Sequence, residues 1–143
     1  MQLLRNTLLL FTLLLSGICA FAQMGQVWPT QTRQRFDIDE NGETLQEYEV
    51  EDYPSYFLFI NDKEFIHCTG DITSLYKITS AKEQDSYMSY EVLSEVGNEY
   101  VFNFDPVESQ VVIVSATGFA LFIQCLPMYE TAVFETIGKR AKP

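Results

Sequence analysis

Short stretches in which apolar and polar residues alternate follow one another along most of this chain. In residues 99–105, Tyr100, Phe102 and Phe104 recur at every second position, as in a strand that buries one face. Turn residues separate this stretch from others of similar length. The other predicted strands cover residues 36–39, 44–51, 55–60, 64–69, 72–79, 111–116 and 119–126. A last candidate strand covers residues 131–137.

The stretch 80–96 fits two kinds of secondary structure. Ser80 and Glu83 match the capping box of a helix, and Gly97 is suited to end such a helix. Residues 87–94 instead alternate apolar and polar positions, as a half-buried strand does. We favour the strand and keep the helix as the alternative.

About eight short strands joined by tight turns are typical of an antiparallel all-β domain. At 143 residues, the chain has the size of one domain. The pattern does not separate a sandwich from an up-and-down barrel. We therefore predict a single antiparallel all-β domain of one of these two architectures, with a short helix around residues 80–96 as the alternative for that stretch.

The first 22 residues have the pattern of a cleaved secretory signal peptide. Arg5 supplies a positive charge, residues 8–15 are almost wholly apolar, and a small-x-small cleavage site follows. The apolar run is short for a membrane span of roughly 20 residues. Lipidation of Cys19 is disfavoured because Ile18 occupies a position where a small residue is expected. We expect an exported protein, periplasmic or secreted, without stable membrane insertion after cleavage.

The rest of the chain divides into three parts. Residues 23–35 are polar apart from a few side chains such as Trp28, and they predict a loosely ordered N-terminal segment. Residues 36–138 contain the predicted strands and form the β-domain. Residues 139–143 are a basic tail.

The charge balance is strongly acidic. The chain has 20 acidic and 9 basic residues, a formal net charge of -11 and a pI of about 4.3. Binding to nucleic acid requires a basic surface, so we expect no nucleic-acid partner. The same charge argues against docking on anionic lipid.

Two cysteines remain once the signal peptide is removed. Cys68 and Cys125 form an even set in an exported chain, which permits a disulfide. The bond would close a loop of about 58 residues and contribute up to about 4 kcal/mol in the chain-entropy view. We favour this disulfide, and two buried free thiols are the alternative.

Common catalytic motifs are missing from the sequence. His67 is the only histidine, and it precedes Cys68 on a predicted strand, so the two side chains point to opposite faces. A structural zinc site needs about four Cys or His ligands, and the mature chain offers one His and two Cys. The sequence also lacks a Gly-x-Ser-x-Gly elbow and a phosphate-binding glycine loop. We expect no enzymatic activity, with a carboxylate-based hydrolase as a minor alternative.

The segment 37–43 resembles the opening of an EF-hand calcium loop. Its order of acidic, amide and glycine residues matches the first six loop positions, with Gly42 at the sharp turn. The match then fails, because Tyr48 stands where the bidentate glutamate is expected. A plain hairpin around Asn41 and Gly42 is the favoured interpretation. A weak Ca²⁺ site is the alternative, and no other cofactor is expected. The candidate ligands are Asp37, Asp39, Asn41 and Glu43.

This loop begins a wider acidic segment. Eight of the sixteen residues 37–52 are Asp or Glu, and none is Lys or Arg. Such charges on an edge hairpin discourage strand-to-strand aggregation. They also offer an electrostatic surface to a cationic partner.

Aromatic side chains fill many inward positions of the predicted strands. They can form a solid core, or they can line an apolar cavity, because an eight-stranded barrel can hold one small ligand. The candidate lining residues are Tyr90, Tyr100, Phe102, Phe104 and Phe119. Our first hypothesis is a non-enzymatic exported module that binds a protein or cell-surface partner, in particular a cationic one. The alternative is a small barrel that carries an apolar molecule.

Overall fold

The structure is a computed structural model that describes residues 24–131. The predicted signal peptide (1–22), the basic tail (139–143) and all but Thr131 of the last candidate strand lie outside the described residues. Within them, the structure contains strands and turns and no helix, which confirms the all-β class. No helix in this part has the length and hydropathy of a membrane span.

Eleven strands are present in the described part of the chain. They are β1 (Gln26–Ile38), β2 (Thr44–Glu47), β3 (Glu51–Asp52), β4 (Ser55–Phe59), β5 (Glu64–Thr69), β6 (Ile72–Glu83), β7 (Met88–Ser94), β8 (Glu99–Asp105), β9 (Gln110–Ser115), β10 (Phe119–Cys125) and β11 (Tyr129–Glu130). The ambiguous stretch 80–96 is divided between the end of β6 and β7, which pair with each other. The strand prediction is therefore correct there, and the helix alternative is wrong.

Eight of these strands close into an antiparallel barrel. From β4 to β10, each strand pairs with the next one along the chain. β1 closes the ring because it pairs with β4 through Val27–Pro29 and with β10 through Thr30–Asp37. The architecture is thus an up-and-down barrel rather than a sandwich. The short strands β2, β3 and β11 lie outside the ring and pair only with β1.

The sequence predicted a loosely ordered segment over residues 23–35. In the described part of this segment, residues 24–35, β1 instead begins at Gln26. Trp28 anchors this strand in the barrel interior, where it is 2% exposed and packs edge-on against Phe104 at 5.2 Å. A bulge between Thr30 and Thr32 interrupts the pairing with β10. The bulge shifts the alternation of inward and outward residues, so the polar sequence of β1 does not show the period of two.

Aromatic rings fill the barrel interior. Phe104 contacts the rings of Phe59, Phe57 and Tyr90 at centroid distances of 5.0, 5.5 and 5.9 Å, mostly in edge-to-face geometry. The largest fully buried side chains are Tyr90, Phe57, Phe59, Phe65, Phe102, Ile123, Val92 and Val111. Because these rings fill the middle of the barrel, a site with polar or charged side chains has to be sought at its ends or on its outer surface.

Candidate functional site

The most exposed element of the molecule is the acidic hairpin, which we define as residues 37–52. It comprises the end of β1, the turn, β2, the segment that follows β2, and β3. Every residue from 40 to 52 is exposed, and β2 and β3 pair only with β1. Leu45 and Val50 are 70% and 60% exposed. The hairpin therefore presents apolar as well as acidic side chains to the solvent.

Asp39 organises the tip of the acidic hairpin. Its Oδ1 atom accepts hydrogen bonds from the backbone N–H groups of Asn41 and Glu43, both at 2.9 Å. Gly42 has a φ of 82°, in the left-handed region that glycine tolerates best. The hairpin predicted around Asn41 and Gly42 is present, but not as the tight two-residue turn. The Asp39 N–H donates to the Glu43 carbonyl oxygen at 2.9 Å, so the loop holds three residues, and of these only Gly42 has a positive φ.

Arg35 and Tyr48 hold the first acidic residue of the hairpin. The Tyr48 hydroxyl donates to Asp37 at 2.7 Å, and the Arg35 guanidinium donates to the same carboxylate at 3.0 Å. The hydrogen bond from Tyr48, followed by that from Arg35, lowers the pKa of Asp37. The same bond raises the pKa of Tyr48. Asp37 is thus an ionised anchor for the hairpin.

A second pair of contacts ties the far side of the hairpin to β1. The Arg33 Nε atom donates to Glu51 at 2.6 Å, and its guanidinium lies over the Tyr53 ring at 4.5 Å from the centroid. Gln34 Nε2 donates to Glu47 at 2.8 Å. Both arginines of β1 are therefore engaged in holding the hairpin.

Four carboxylates of the hairpin remain unneutralised. In the part of the chain that the structure describes, their side chains make no hydrogen bond and no salt bridge. They are Glu40, Glu43, Glu49 and Asp52. The exposed face of the hairpin consequently carries uncompensated negative charge.

The calcium candidates are not gathered around one point. Asp37 is bound to Tyr48 and Arg35, and Asp39 Oδ1 accepts two backbone amides of the turn. The two amides belong to Asn41 and Glu43, whose side chains are exposed. No group of three or more His, Cys, Asp or Glu side chains suited to a metal ion occurs within residues 24–131. The calcium site stays a prediction from the sequence.

Cys68 and Cys125 are free thiols, and the predicted disulfide between them is not found. Cys68 lies on β5 and Cys125 on β10, with β1 and β4 between them in the sheet. Three strand spacings amount to roughly 14 Å, whereas a disulfide needs Cα atoms within about 7 Å. Cys125 belongs to the barrel core, and burial raises the pKa of its thiol to about 12.

A polar network at one end of the barrel was not expected from the sequence. Ser55 lies in phase with Phe57 along β4, and both point into the barrel. His67 stacks on the Phe57 ring at 4.2 Å. The Nε2 atom of His67 lies 3.2 Å from the Ser55 hydroxyl and 3.2 Å from that of Tyr53. The period of two on β4 and β5 was the one signal that could have placed Ser55 and His67 inside.

The hydrogen bonds of Thr30 fix which hydroxyl groups of this network act as donors. The Thr30 hydroxyl donates to the Tyr53 carbonyl oxygen, so towards Ser55 Oγ, 2.6 Å away, it can only accept. Ser55 therefore donates to Thr30, and its hydroxyl proton is not directed at His67 Nε2, which also lies 3.2 Å from the Tyr53 hydroxyl. His67 is thus not placed to withdraw the Ser55 proton, as the base of an activated serine nucleophile is.

Burial keeps His67 uncharged. Desolvation, with a smaller contribution from Arg33, lowers its pKa from 6.5 to about 4. A neutral imidazole is compatible with the hydrogen-bonding order described above. The network thus closes the end of the barrel as a structural unit.

The predicted pocket residues do not share one cavity. Tyr90, Phe102 and Phe104 are at most 2% exposed and pack against other core rings. Tyr100 is half-buried at the edge of the core. Phe119 lies away from them, under the Arg35 guanidinium at 4.8 Å.

The fold and site define a class, namely a closed eight-stranded antiparallel β-barrel with an acidic hairpin attached to β1. Comparison of the chain with protein-family models, with curated proteins and with solved structures found no match.

Proposed function

We propose that this protein is an exported, non-enzymatic binding module that recognises a cationic protein or cell-surface partner through the acidic hairpin. The observation that carries this proposal is that every residue from 40 to 52 is exposed, including four carboxylates without a side-chain partner. Export is inferred from the signal-peptide pattern of residues 1–22.

The shape of the hairpin supports a macromolecular partner rather than a free ion. Leu45 and Val50 add exposed apolar area beside the carboxylates. An interface of this composition gains affinity from the apolar contacts and association rate from the charges. The barrel interior, in contrast, is packed with rings, so the structure lends no support to the alternative of a carrier for an apolar molecule.

The rate of association with a basic peptide tests this proposal. The probe is a short synthetic peptide of alternating lysine and valine, and the measurement is surface plasmon resonance on the mature chain at two salt concentrations. Replacing Glu40, Glu43 and Glu49 together by Gln should slow association about tenfold at low salt, because steering charges act mainly on the association rate. Higher salt should reduce the difference.

A matched variant controls for net charge. It neutralises three exposed carboxylates in turns outside the hairpin, namely Asp62→Asn, Asp71→Asn and Glu108→Gln. This variant should associate within about twofold of the unmodified chain, because steering depends on where the charges lie as well as on their number. Equal losses in both triple variants would show that net charge alone attracts the peptide, and the proposal would then be wrong.

A further inference from the structure

One side of the barrel wall presents apolar side chains to the solvent. On β4, Phe57 and Phe59 point into the core, so the residues that alternate with them face outwards. The strand register brings apolar residues of β1, β5 and β11 beside them on the same face. We define the outer patch as these six residues, namely Val27, Pro29, Tyr56, Leu58, Ile66 and Tyr129. Tyr56 and Tyr129 are 41% and 54% exposed. Contiguous apolar surface of this kind is typical of a site that another segment of protein covers.

The outer patch continues into the acidic hairpin. Tyr53 packs against the core, and Ser55 belongs to the polar network at the end of the barrel. Asp52, Pro54 and Tyr56 alternate with them and therefore face outwards. In the described part of the chain, the Asp52 carboxylate has no side-chain partner. A segment that is apolar in one part and cationic in the next therefore fits this face.

Residues 132–143 have this composition, with three large apolar residues followed by three basic ones. In chain order they are Val133, Phe134, Ile137, Lys139, Arg140 and Lys142. The segment begins beside the outer patch. Tyr129 belongs to the patch, and the Thr131 N–H donates to the Gly25 carbonyl oxygen at 2.9 Å.

The length of this segment matches the distance to the acidic hairpin. Gly25 and Thr32 are seven positions apart in the chain, and Thr32 pairs with Asp52. Seven positions of extended strand amount to roughly 23 Å. A reversal of three residues leaves nine residues of the segment, which span up to roughly 30 Å when extended. Arg140 and Lys142 are therefore within reach of Asp52.

We propose that residues 132–143 fold back over the outer patch of their own chain. Phe134 and Ile137 cover the patch, and Arg140 and Lys142 lie against the carboxylate of Asp52. The contact forms within one molecule, so it does not depend on the protein concentration. It is also independent of the proposed function, because its test needs no partner.

NMR relaxation of the ¹⁵N-labelled mature chain tests this contact. The backbone order parameters of residues 134–142 should be about 0.8, close to the value of rigid backbone. Phe134→Ser with Ile137→Ser should lower them to below about 0.6, the range of flexible chain. The same double variant should shift the amide signals of Leu58 and Tyr129, which lose their cover.

A matched double variant controls for the loss of apolar side chains elsewhere. Val96 and Val107 are 83% and 74% exposed, in turns outside the outer patch. Val96→Ser with Val107→Ser should leave the order parameters of residues 134–142 near 0.8. The spectra also report whether each variant is folded.

Reversal of one charge tests the cationic part of the contact. Asp52→Lys should lower the order parameters of residues 140–142 to below about 0.6, because Arg140 and Lys142 are then repelled. Asp62→Lys makes the same change of charge in the turn between β4 and β5 and should not lower them.

Three results would overturn the proposal. The first is order parameters below about 0.6 throughout residues 132–143 of the unmodified chain. The second is an equal effect of the two double variants or of the two charge reversals. The third is a loss of order in residues 134–142 on about tenfold dilution, since mass action would then assign the outer patch to a second copy of the chain.

Discussion

At the scale of single residues, His67 shows how burial decides the role of a side chain. The sequence marked it only as the one histidine of the chain. In the barrel it stacks on Phe57 and hydrogen-bonds to Ser55 and Tyr53. Desolvation and Arg33 keep it neutral, because a charge at this position would be buried close to a guanidinium.

The stability of the protein should therefore fall as the pH falls from 6.5 to 4. The unfolded chain gains a proton on His67 near pH 6.5, while the folded state resists protonation down to a pKa of about 4. This difference corresponds to about 3 kcal/mol of unfolding free energy, present above pH 6.5 and lost below pH 4.

The variant His67→Gln isolates this contribution. Its amide can still donate to Ser55, but it does not titrate. Urea unfolding at a series of pH values should show a smaller loss of stability on acidification in the variant, by up to about 3 kcal/mol. The carboxylates titrate in both proteins and cancel in the comparison. Parallel pH profiles for the two proteins would contradict the assignment.

At the scale of elements, the turn between β9 and β10 is hydrogen-bonded to the end of β1. Gly118 has a φ of 95°, and its carbonyl oxygen accepts the N–H of Ile38 at 2.9 Å. A Cβ atom at Gly118 would lie 3.2 Å from the Ile38 carbonyl oxygen. Gly42, at the tip of the acidic hairpin, has a similar φ but open space around it.

These two glycines give a matched pair of substitutions. Gly42→Ala should lose about 1 kcal/mol of unfolding free energy, the usual cost of a left-handed alanine. Gly118→Ala should lose about 2–3 kcal/mol, because the turn or the end of β1 must also move. Urea unfolding of both variants measures the difference. Equal losses would mean that the contact between the turn and β1 does not constrain the barrel.

At the scale of the whole molecule, the ring packing around Phe104 holds the barrel together. Its neighbours come from several strands, including Trp28 of β1, Phe59 of β4 and Tyr90 of β7. One side chain thus links distant parts of the sheet across the interior. Phe122, in contrast, is 41% exposed on the outer surface of β10.

Truncation of Phe104 should accordingly destabilise the entire barrel. Phe104→Ala leaves a cavity among rigid rings and should lower the unfolding free energy by about 3–5 kcal/mol. Phe122→Ala should lose only about 1–2 kcal/mol, because that side chain is 41% exposed and packs against the single ring of Phe36. Thermal unfolding followed by circular dichroism compares the two. A small effect of Phe104→Ala would show that the interior repacks.

Several strands could be predicted from the sequence because their alternation is undisturbed. β5 and β8 occur at the predicted positions, Glu64–Thr69 and Glu99–Asp105. β1 could not, because a bulge and many polar residues conceal its period. The position of the acidic hairpin was predicted, since Asn41 and Gly42 are local signals, but its loop is one residue longer than a two-residue Asn-Gly turn. The arginines that anchor it were not, because their contacts depend on the pairing of β1.

The sequence by itself determined the all-β class, most strand positions and the concentration of charge in residues 37–52, because each of these depends on neighbours along the chain. Only the tertiary structure decided between barrel and sandwich, kept Cys68 apart from Cys125 and joined Thr30, Ser55 and His67 in one network. These features follow from the closure of β1 against both β4 and β10. Such closure juxtaposes residues far apart in sequence, and no local pattern encodes it.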